Sequence, residues 1–154
     1  MTGQGGDESR VLRVLHVEDN AGDVRLVAEG LKESGVPHEA YVVNDGFQAF
    51  EFLRRKGPFS DAPRPDLILL DLNLPRKGGR EVLADIKSDP DLWSIPVVVF
   101  TTSAAPFDIT GAYELHANCY VIKPVDLQAL FETIGAIGRF WSRVAKLPWA
   151  ETTS

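Results

Sequence analysis

The stretch LILLDLNLPRKGG, Leu67–Gly79, decides the fold. Four consecutive apolar residues, Leu67–Leu70, stop at an acid, Asp71, and a loop with Pro75, Gly78 and Gly79 follows. A short, continuously apolar run bounded by turn residues fits a strand buried on both faces, as in a parallel sheet covered by helices. The same shape recurs outward in both directions. Val11–Val17 ends abruptly in Glu18-Asp19-Asn20, Val97–Phe100 is entered through Pro96 and ends in Thr101-Thr102, and Cys119–Ile122 ends in Lys123-Pro124. Ala40–Val43 supplies a fifth, shorter strand.

Between the strands the periodicity changes to that of helices. Asp23–Ser34 places Val24, Val27, Ala28 and Leu31 at helical spacing and closes at Gly35 and Pro37. Asp45-Gly46 opens a helix carrying Phe47, Phe50 and Leu53; Arg80–Lys87 turns Val82, Leu83 and Ile86 inward; Ala104–Leu115 forms a weaker helix. The last helix starts near Asp126, an N-cap residue type. It aligns Leu127, Leu130, Phe131, Ile134, Ile137, Trp141 and Val144 on one stripe until Pro148. Gly57–Pro65 is a Pro-rich loop. Five strand–helix alternations predict an α/β fold, a doubly wound five-stranded parallel sheet with helices on both faces.

At 154 residues the chain fits one domain, expected over residues 11–148. Met1–Arg10 is Gly-rich and polar and is expected to be a disordered tail; residues 149–154 form a second tail. The longest apolar runs, such as Pro96–Phe100, are too short to span a bilayer, so no membrane association is expected. A net charge of −6 disfavours nucleic acid, which needs clustered Lys and Arg. Cys119 stands alone, which suits a reducing cytoplasm. His16, His38 and His116 lie at unrelated spacings, so no zinc site is expected.

In open parallel sheets ligands bind beyond the carboxyl ends of the strands. There the sequence places Glu18 and Asp19, Asp71, Thr101 and Thr102, and Lys123. Three carboxylates in one cleft repel one another unless compensated. A divalent cation together with Lys123 supplies three positive charges against them, and Mg²⁺ suits a small all-oxygen site that also engages a phosphoryl group. Asp71 is then a nucleophile able to form an acyl phosphate. Lys123, the Thr101 hydroxyl and the cation would each take one phosphoryl oxygen, and Asn73 would offer its backbone carbonyl to the metal.

Glu18-Asp19, the run Asp71–Gly79, Thr101 and Lys123-Pro124, in this order and at these spacings, resemble the receiver domain of two-component response regulators. The resemblance covers Leu12 to Val144 and implies a strand order 2-1-3-4-5. It implies that Asp71 accepts phosphate, that Asp19, Asp71 and the Asn73 carbonyl bind Mg²⁺ while Glu18 completes the acidic pocket, and that Thr101 and Lys123 contact the phosphoryl group. It also implies that Tyr120 is a rotamer switch following Thr101. His16–Asn20 with Gly22-Asp23, the Pro-rich insertion, Asn118–Pro124 and the tail from Phe140-Trp141 to Pro148 are similar to small response regulators paired with bacterial phytochromes. The implied partner is a sensor histidine kinase, and the chain would catalyse only its own phosphorylation and dephosphorylation. Glu18 departs from the family's commoner Asp, lengthening that arm. Leu74 replaces a frequent Met, a volume-conserving change.

Phe140, Trp141 and Trp149 make the C-terminal region unusually aromatic. Exposed aromatics mark interfaces, so a homodimer through the fourth helix, fifth strand and last helix is expected. Other classes fit less well. A phosphatase of the haloacid-dehalogenase type needs an acid two residues after its nucleophile, where this chain has Asn73. A flavin or nucleotide binder needs an anion-binding loop after the first strand, where Glu18-Asp19 would repel phosphate. A receiver-like scaffold or phosphate sink is disfavoured only by the completeness of the pocket.

Overall fold

The computed structural model describes residues 10–148; Met1–Ser9 and Trp149–Ser154, with the tail assignments made for them, lie outside the described residues. Arg10, placed in the N-terminal tail by sequence, is held instead by an ion pair with Asp66 at 3.1 Å. Five strands, β1 (Leu12–Val17), β2 (His38–Val43), β3 (Leu67–Leu70), β4 (Val97–Thr101) and β5 (Cys119–Ile122), pair in parallel. Their order is β2-β1-β3-β4-β5. The connecting helices are α1 (Ala21–Ser34), α2 (Gly46–Leu53), α3 (Gly79–Ser88), α4 (Pro106–Glu114) and α5 (Leu127–Arg139).

Both faces of the sheet are covered, and side-chain alternation along each strand divides the core. Leu67 and Leu69 of β3 pack with Val14, Val98, Phe100, and with Leu31 of α1 and Ile134 of α5. Ile68 and Leu70 turn the opposite way, toward Val17, Val99, Phe52 of α2, Leu83 and Ile86 of α3 and Ala112 of α4. All four residues of β3 are buried, which is why its sequence is continuously apolar. Each fully buried Leu or Ile contributes about 1.5–3 kcal/mol.

Local chemistry starts and stops the helices. The Asn20 side chain caps α1 by accepting from the Asp23 N–H at 2.9 Å, and Gly35, at φ 76, ends it in the left-handed conformation. Asp45 caps α2 and Asp126 caps α5 through the N–H groups of Gln48 and Ala129. Gly30 lets α1 approach α5 closely, because a Cβ there would lie 3.0 Å from Ile134.

Two helical stripes differ from expectation. In α2 the buried face is Gly46, Ala49 and Phe52, while Phe47 is exposed. Gly46 sits so close to Val82 and the Lys77 stem that it fixes which face turns in. In the last helix Leu130 and Ile134 enter the core, but Leu127 and Val144 are exposed. The α-helix widens into a π turn over Phe140–Val144, closed by the Ala145 N–H donating to the Phe140 carbonyl at 2.8 Å, and the extra residue rotates the stripe. Trp141 is half-buried against the α1–α5 core and meets Phe140 edge-on at 5.1 Å, so it packs on its own domain.

Gly79 begins α3 against the strand that carries Asp71: a Cβ there would lie 2.3 Å from the Asp71 carbonyl and 2.5 Å from the Leu72 Cα. Backbone cannot yield as a side-chain tip can. Gly79→Ala is expected to cost about 2–3 kcal/mol in urea unfolding, at the upper end for overpacking. A loss under about 0.5 kcal/mol would show that the contact relaxes freely.

Candidate functional site

The parallel ladder runs one residue past each strand end and fixes the site by backbone alone. The Glu18 N–H donates to the Val43 carbonyl at 2.9 Å, the Asp71 N–H to Val17 at 3.1 Å, and the Lys123 N–H to Thr101 at 2.7 Å. Side chains that follow β1, β3 and β5 are thereby brought into one cleft with the last residue of β4. Glu18, Asp71, Thr101 and Lys123 are all buried.

The Lys123 ammonium is the hub. Its Nζ donates to Glu18 Oε1 at 2.7 Å, to Asp23 Oδ2 at 2.8 Å and to Asp71 Oδ2 at 3.0 Å. An ammonium has three N–H donors, so its hydrogen-bonding capacity is full. The other Asp71 oxygen, Oδ1, accepts from the Thr101 hydroxyl at 2.9 Å and from the Asn73 N–H at 3.0 Å. Thr102, the alternative to Thr101, is exposed. Glu18 Oε2 accepts from the Asn20 N–H at 3.2 Å.

These contacts separate the behaviour of the acids. Burial acts on Asp71 to raise its pKa, but the Asn73 N–H and the Lys123 ammonium outweigh it and hold the carboxyl below the usual carboxylate range. Glu18 is pushed up to about 7, first by burial and then by the charge of Asp71, against the pull of Lys123. Lys123 is raised despite burial because Asp23, Glu18 and Asp71 all accept from it. Asp71 is thus the acid kept ionised, as a nucleophile requires.

Glu18, Asp23 and Asp71 each bring a carboxylate oxygen within 4.8 Å of one another. Hard oxygen donors gathered so closely fit a divalent cation such as Mg²⁺ or Mn²⁺. Asp19, expected among the metal ligands, stands exposed next to Glu18, at the open side of the cleft. Asp23 joins the pocket as well, through its bond to Lys123, and sequence reading missed it. A signal existed: an acid in the first turn of a helix leans toward the helix N-terminus, which here opens on the cleft. Its fit to the helix dipole gave it a sufficient structural explanation.

Tyr120 of β5 is half-buried, its hydroxyl donating to the Ser103 carbonyl at 2.9 Å. Asn73 reaches Asp71 through its backbone while its side chain is exposed.

Residues 14–135 match the model of the response regulator receiver domain. The chain belongs to the response-regulator receiver family. Accepting a phosphoryl group in two-component signalling is this family's role, and its members bind a divalent metal at an acidic pocket. Response regulator Rcp1 of Synechocystis sp. is 51% identical over 145 residues, covering 94% of this chain and 99% of that protein. The crystal structure of the phosphorylated cyanobacterial phytochrome response regulator RcpA superposes with a TM-score of 0.86 at 52% identity, covering 90% of this receiver and 99% of RcpA. A Mn²⁺-bound form of Rcp1 gives 0.83 at 50% identity, over 89% and 99% of the two chains. In this receiver, as the sequence indicated, the sheet order is 2-1-3-4-5. Among the described residues no helix is long and apolar enough to cross a membrane.

The raised Glu18 has a thermodynamic consequence. Folded, it keeps its proton up to about pH 7, whereas its ordinary value is 4.5. Its contribution to stability is full below the lower value and lost as pH rises through the upper one. His16 runs the other way: burial, with Lys123 second, holds it at about 4 rather than 6.5, so its contribution is lost as pH falls through that range. Glu18→Gln removes one arm. Between about pH 4.5 and 7 the wild type should lose about 1–3 kcal/mol relative to that variant in urea unfolding. A difference that stays constant with pH would show that Glu18 titrates normally.

Proposed function

We propose that this receiver accepts a phosphoryl group on Asp71 from a sensor histidine kinase, and that the kinase is a phytochrome. The observation that carries the reading is the pairing of Asp71 Oδ1 with Thr101 and Asn73, and of Oδ2 with Lys123, which holds an ionised carboxylate between a hydroxyl and an ammonium. A carboxylate oxygen attacks phosphorus, the bond to the donor nitrogen of a phosphohistidine breaks, and the proton needed by the leaving imidazole comes from solvent. Phosphoryl transfer asks mainly for position and charge neutralisation. Lys123 and the Thr101 hydroxyl supply these to the equatorial oxygens. Glu18, Asp19, Asp71 and the Asn73 carbonyl would hold Mg²⁺, which supplies further positive charge to the phosphoryl oxygens. Hydrolysis of the acyl phosphate resets the site, so catalysis is confined to the chain's own phosphorylation and dephosphorylation.

The phytochrome partner is supported by the likeness to RcpA and by that to the bacteriophytochrome response regulator RtBRR, 38% identical with a TM-score of 0.72. A cytoplasmic location follows from such a kinase. Thr101 and Tyr120 form the switch: Thr101 moves toward phosphate, and Tyr120, already bonded to Ser103 two residues on, reports its position. The chain is a homodimer through α4, β5 and α5. Phe107, Tyr113, Ile122, Val125, Leu127 and Phe140 stand exposed on those elements and the turns beside them, and β5 is an open sheet edge. Trp141 supports Phe140 from behind, and Trp149 lies outside the described residues.

Incubation with acetyl phosphate and Mg²⁺ should add one phosphoryl group by intact mass, and neither Asp71→Asn nor an EDTA-treated sample should gain it. Label persisting in Asp71→Asn would refute the assignment. For the dimer, sedimentation should give twice the chain mass, and Val125→Asp, at a fully exposed position, should yield monomer with an unchanged circular dichroism spectrum. A wild type that sediments as monomer with and without a phosphoryl mimic would rule the dimer out.

A further inference from the structure

From the three bonds of Lys123 we infer that Asp23 is a positioning residue, a releasable anchor that holds the Lys123 ammonium back from the incoming phosphoryl group and so sets the rate of loading. The inference rests on Asp71 being the acceptor. All three N–H donors of Lys123 are committed, to Glu18, Asp23 and Asp71. To reach a phosphoryl oxygen the ammonium must give one of them up. Asp71 is the group being modified. Glu18 is 1% exposed, and its second oxygen is already bonded to the Asn20 N–H, so its release would leave a buried oxygen with no partner that water could replace. The Asp23 side chain is 34% exposed, so water can take over its hydrogen bond at little cost.

The position of Asp23 gives it a second effect of the same sign. It stands at the N-terminus of α1, on the solvent side of the cluster, with an oxygen within 4.8 Å of those of Glu18 and Asp71. A phosphoryl donor entering from solvent is an anion, and it meets this carboxylate before reaching Asp71. Asp23 therefore opposes loading twice, by retaining Lys123 and by repelling the donor. The backbone of Asp23 is held independently, by its N–H to the Asn20 side chain at 2.9 Å, so changing the side chain leaves the helix start in place.

The test compares wild type, Asp23→Asn and Asp23→Glu for loading by acetyl phosphate, a dianion, and by phosphoramidate, a monoanion, with Mg²⁺ affinity measured separately by calorimetry. Asp23→Asn should load about 5-fold faster with acetyl phosphate and gain less with phosphoramidate, because the repelled charge is smaller. Its Mg²⁺ affinity should stay within about 3-fold of wild type, and Asp23→Glu should return loading toward the wild-type rate. Slower loading together with a loss of Mg²⁺ affinity of about 10-fold or more would overturn the inference and make Asp23 a metal ligand. Equal loading of wild type and Asp23→Asn would overturn it as well. A wild type that gains no phosphoryl group from either donor would instead refute the assignment of Asp71 itself.

Discussion

One ammonium group holds the site together. Lys123 follows β5, Glu18 follows β1 and Asp71 follows β3, yet all three meet at a single nitrogen. Without that cation the three acids of the cluster would face one another with no compensating charge, and burial would force protons onto them. Glu18 already shows the strain, retaining its proton to about pH 7. Asp71 escapes because it alone adds a hydroxyl and a backbone N–H to the lysine. The pocket is thus asymmetric by construction. One carboxylate is kept ionised, one is half-protonated near neutrality, and one is left at the surface.

That asymmetry depends on a loop that cannot drift. Asp71 leads into residues 72–78, and the loop is tied at several points. Gly79 packs on the Asp71 and Leu72 backbone, and the Gly79 N–H donates to the Leu72 carbonyl at 3.2 Å. Arg76, in the left-handed conformation at φ 60, pairs with buried Asp45, the cap of α2. Lys77 pairs with Asp85 of α3 and lies over the Phe47 and Phe50 rings at 5.9 and 5.5 Å. Exposed Phe47 and half-buried Phe50 are therefore not idle: both hold the Lys77 ammonium over their rings and brace the loop beside Asp71.

Strand identity was legible because β3 and β4, buried on both faces, leave no room for polar residues, so the sequence shows them as unbroken apolar runs. Asp71 and Thr101 were legible for the same reason, since each is the first polar residue after such a run, whereas Glu18 and Lys123 follow strands that are less uniformly apolar or buried and were legible by their place at a strand end. What escaped were features set by rotation about a helix axis. Phe47 and Phe52 are equally apolar in sequence, yet only Phe52 is buried, on the face where Gly46 makes its close contact with Val82 and the Lys77 stem. The π turn at Phe140–Val144 adds one residue to the helical period, which no regular spacing encodes. Asp23 was hidden by its own adequacy as a first-turn acid.

Asp71 and the apolar face around α4 and β5 are separated by few bonds. Thr101 binds Asp71, and two residues on, Ser103 accepts from the Tyr120 hydroxyl through its carbonyl and donates its own hydroxyl to Asp108 at 2.5 Å. Asp108 lies in the first turn of α4 and is 3.7 Å from Arg80, which donates to the Phe107 carbonyl at 2.9 Å and stacks on the Phe107 ring. Gly111 is what admits that arginine, since a Cβ there would lie 2.1 Å from the guanidinium. The backbone from Thr101 to Ser103 is covalently continuous, so the proposed shift of Thr101 toward a phosphoryl oxygen would bear on the Ser103 contacts two residues away. Those contacts hold the start of α4 and the ring of Tyr120, and Phe107 is among the most exposed large apolar residues on that face. Asp71 and the α4–β5 surface are therefore joined through the same three residues of backbone, which is the route by which the proposed chemistry would reach that surface.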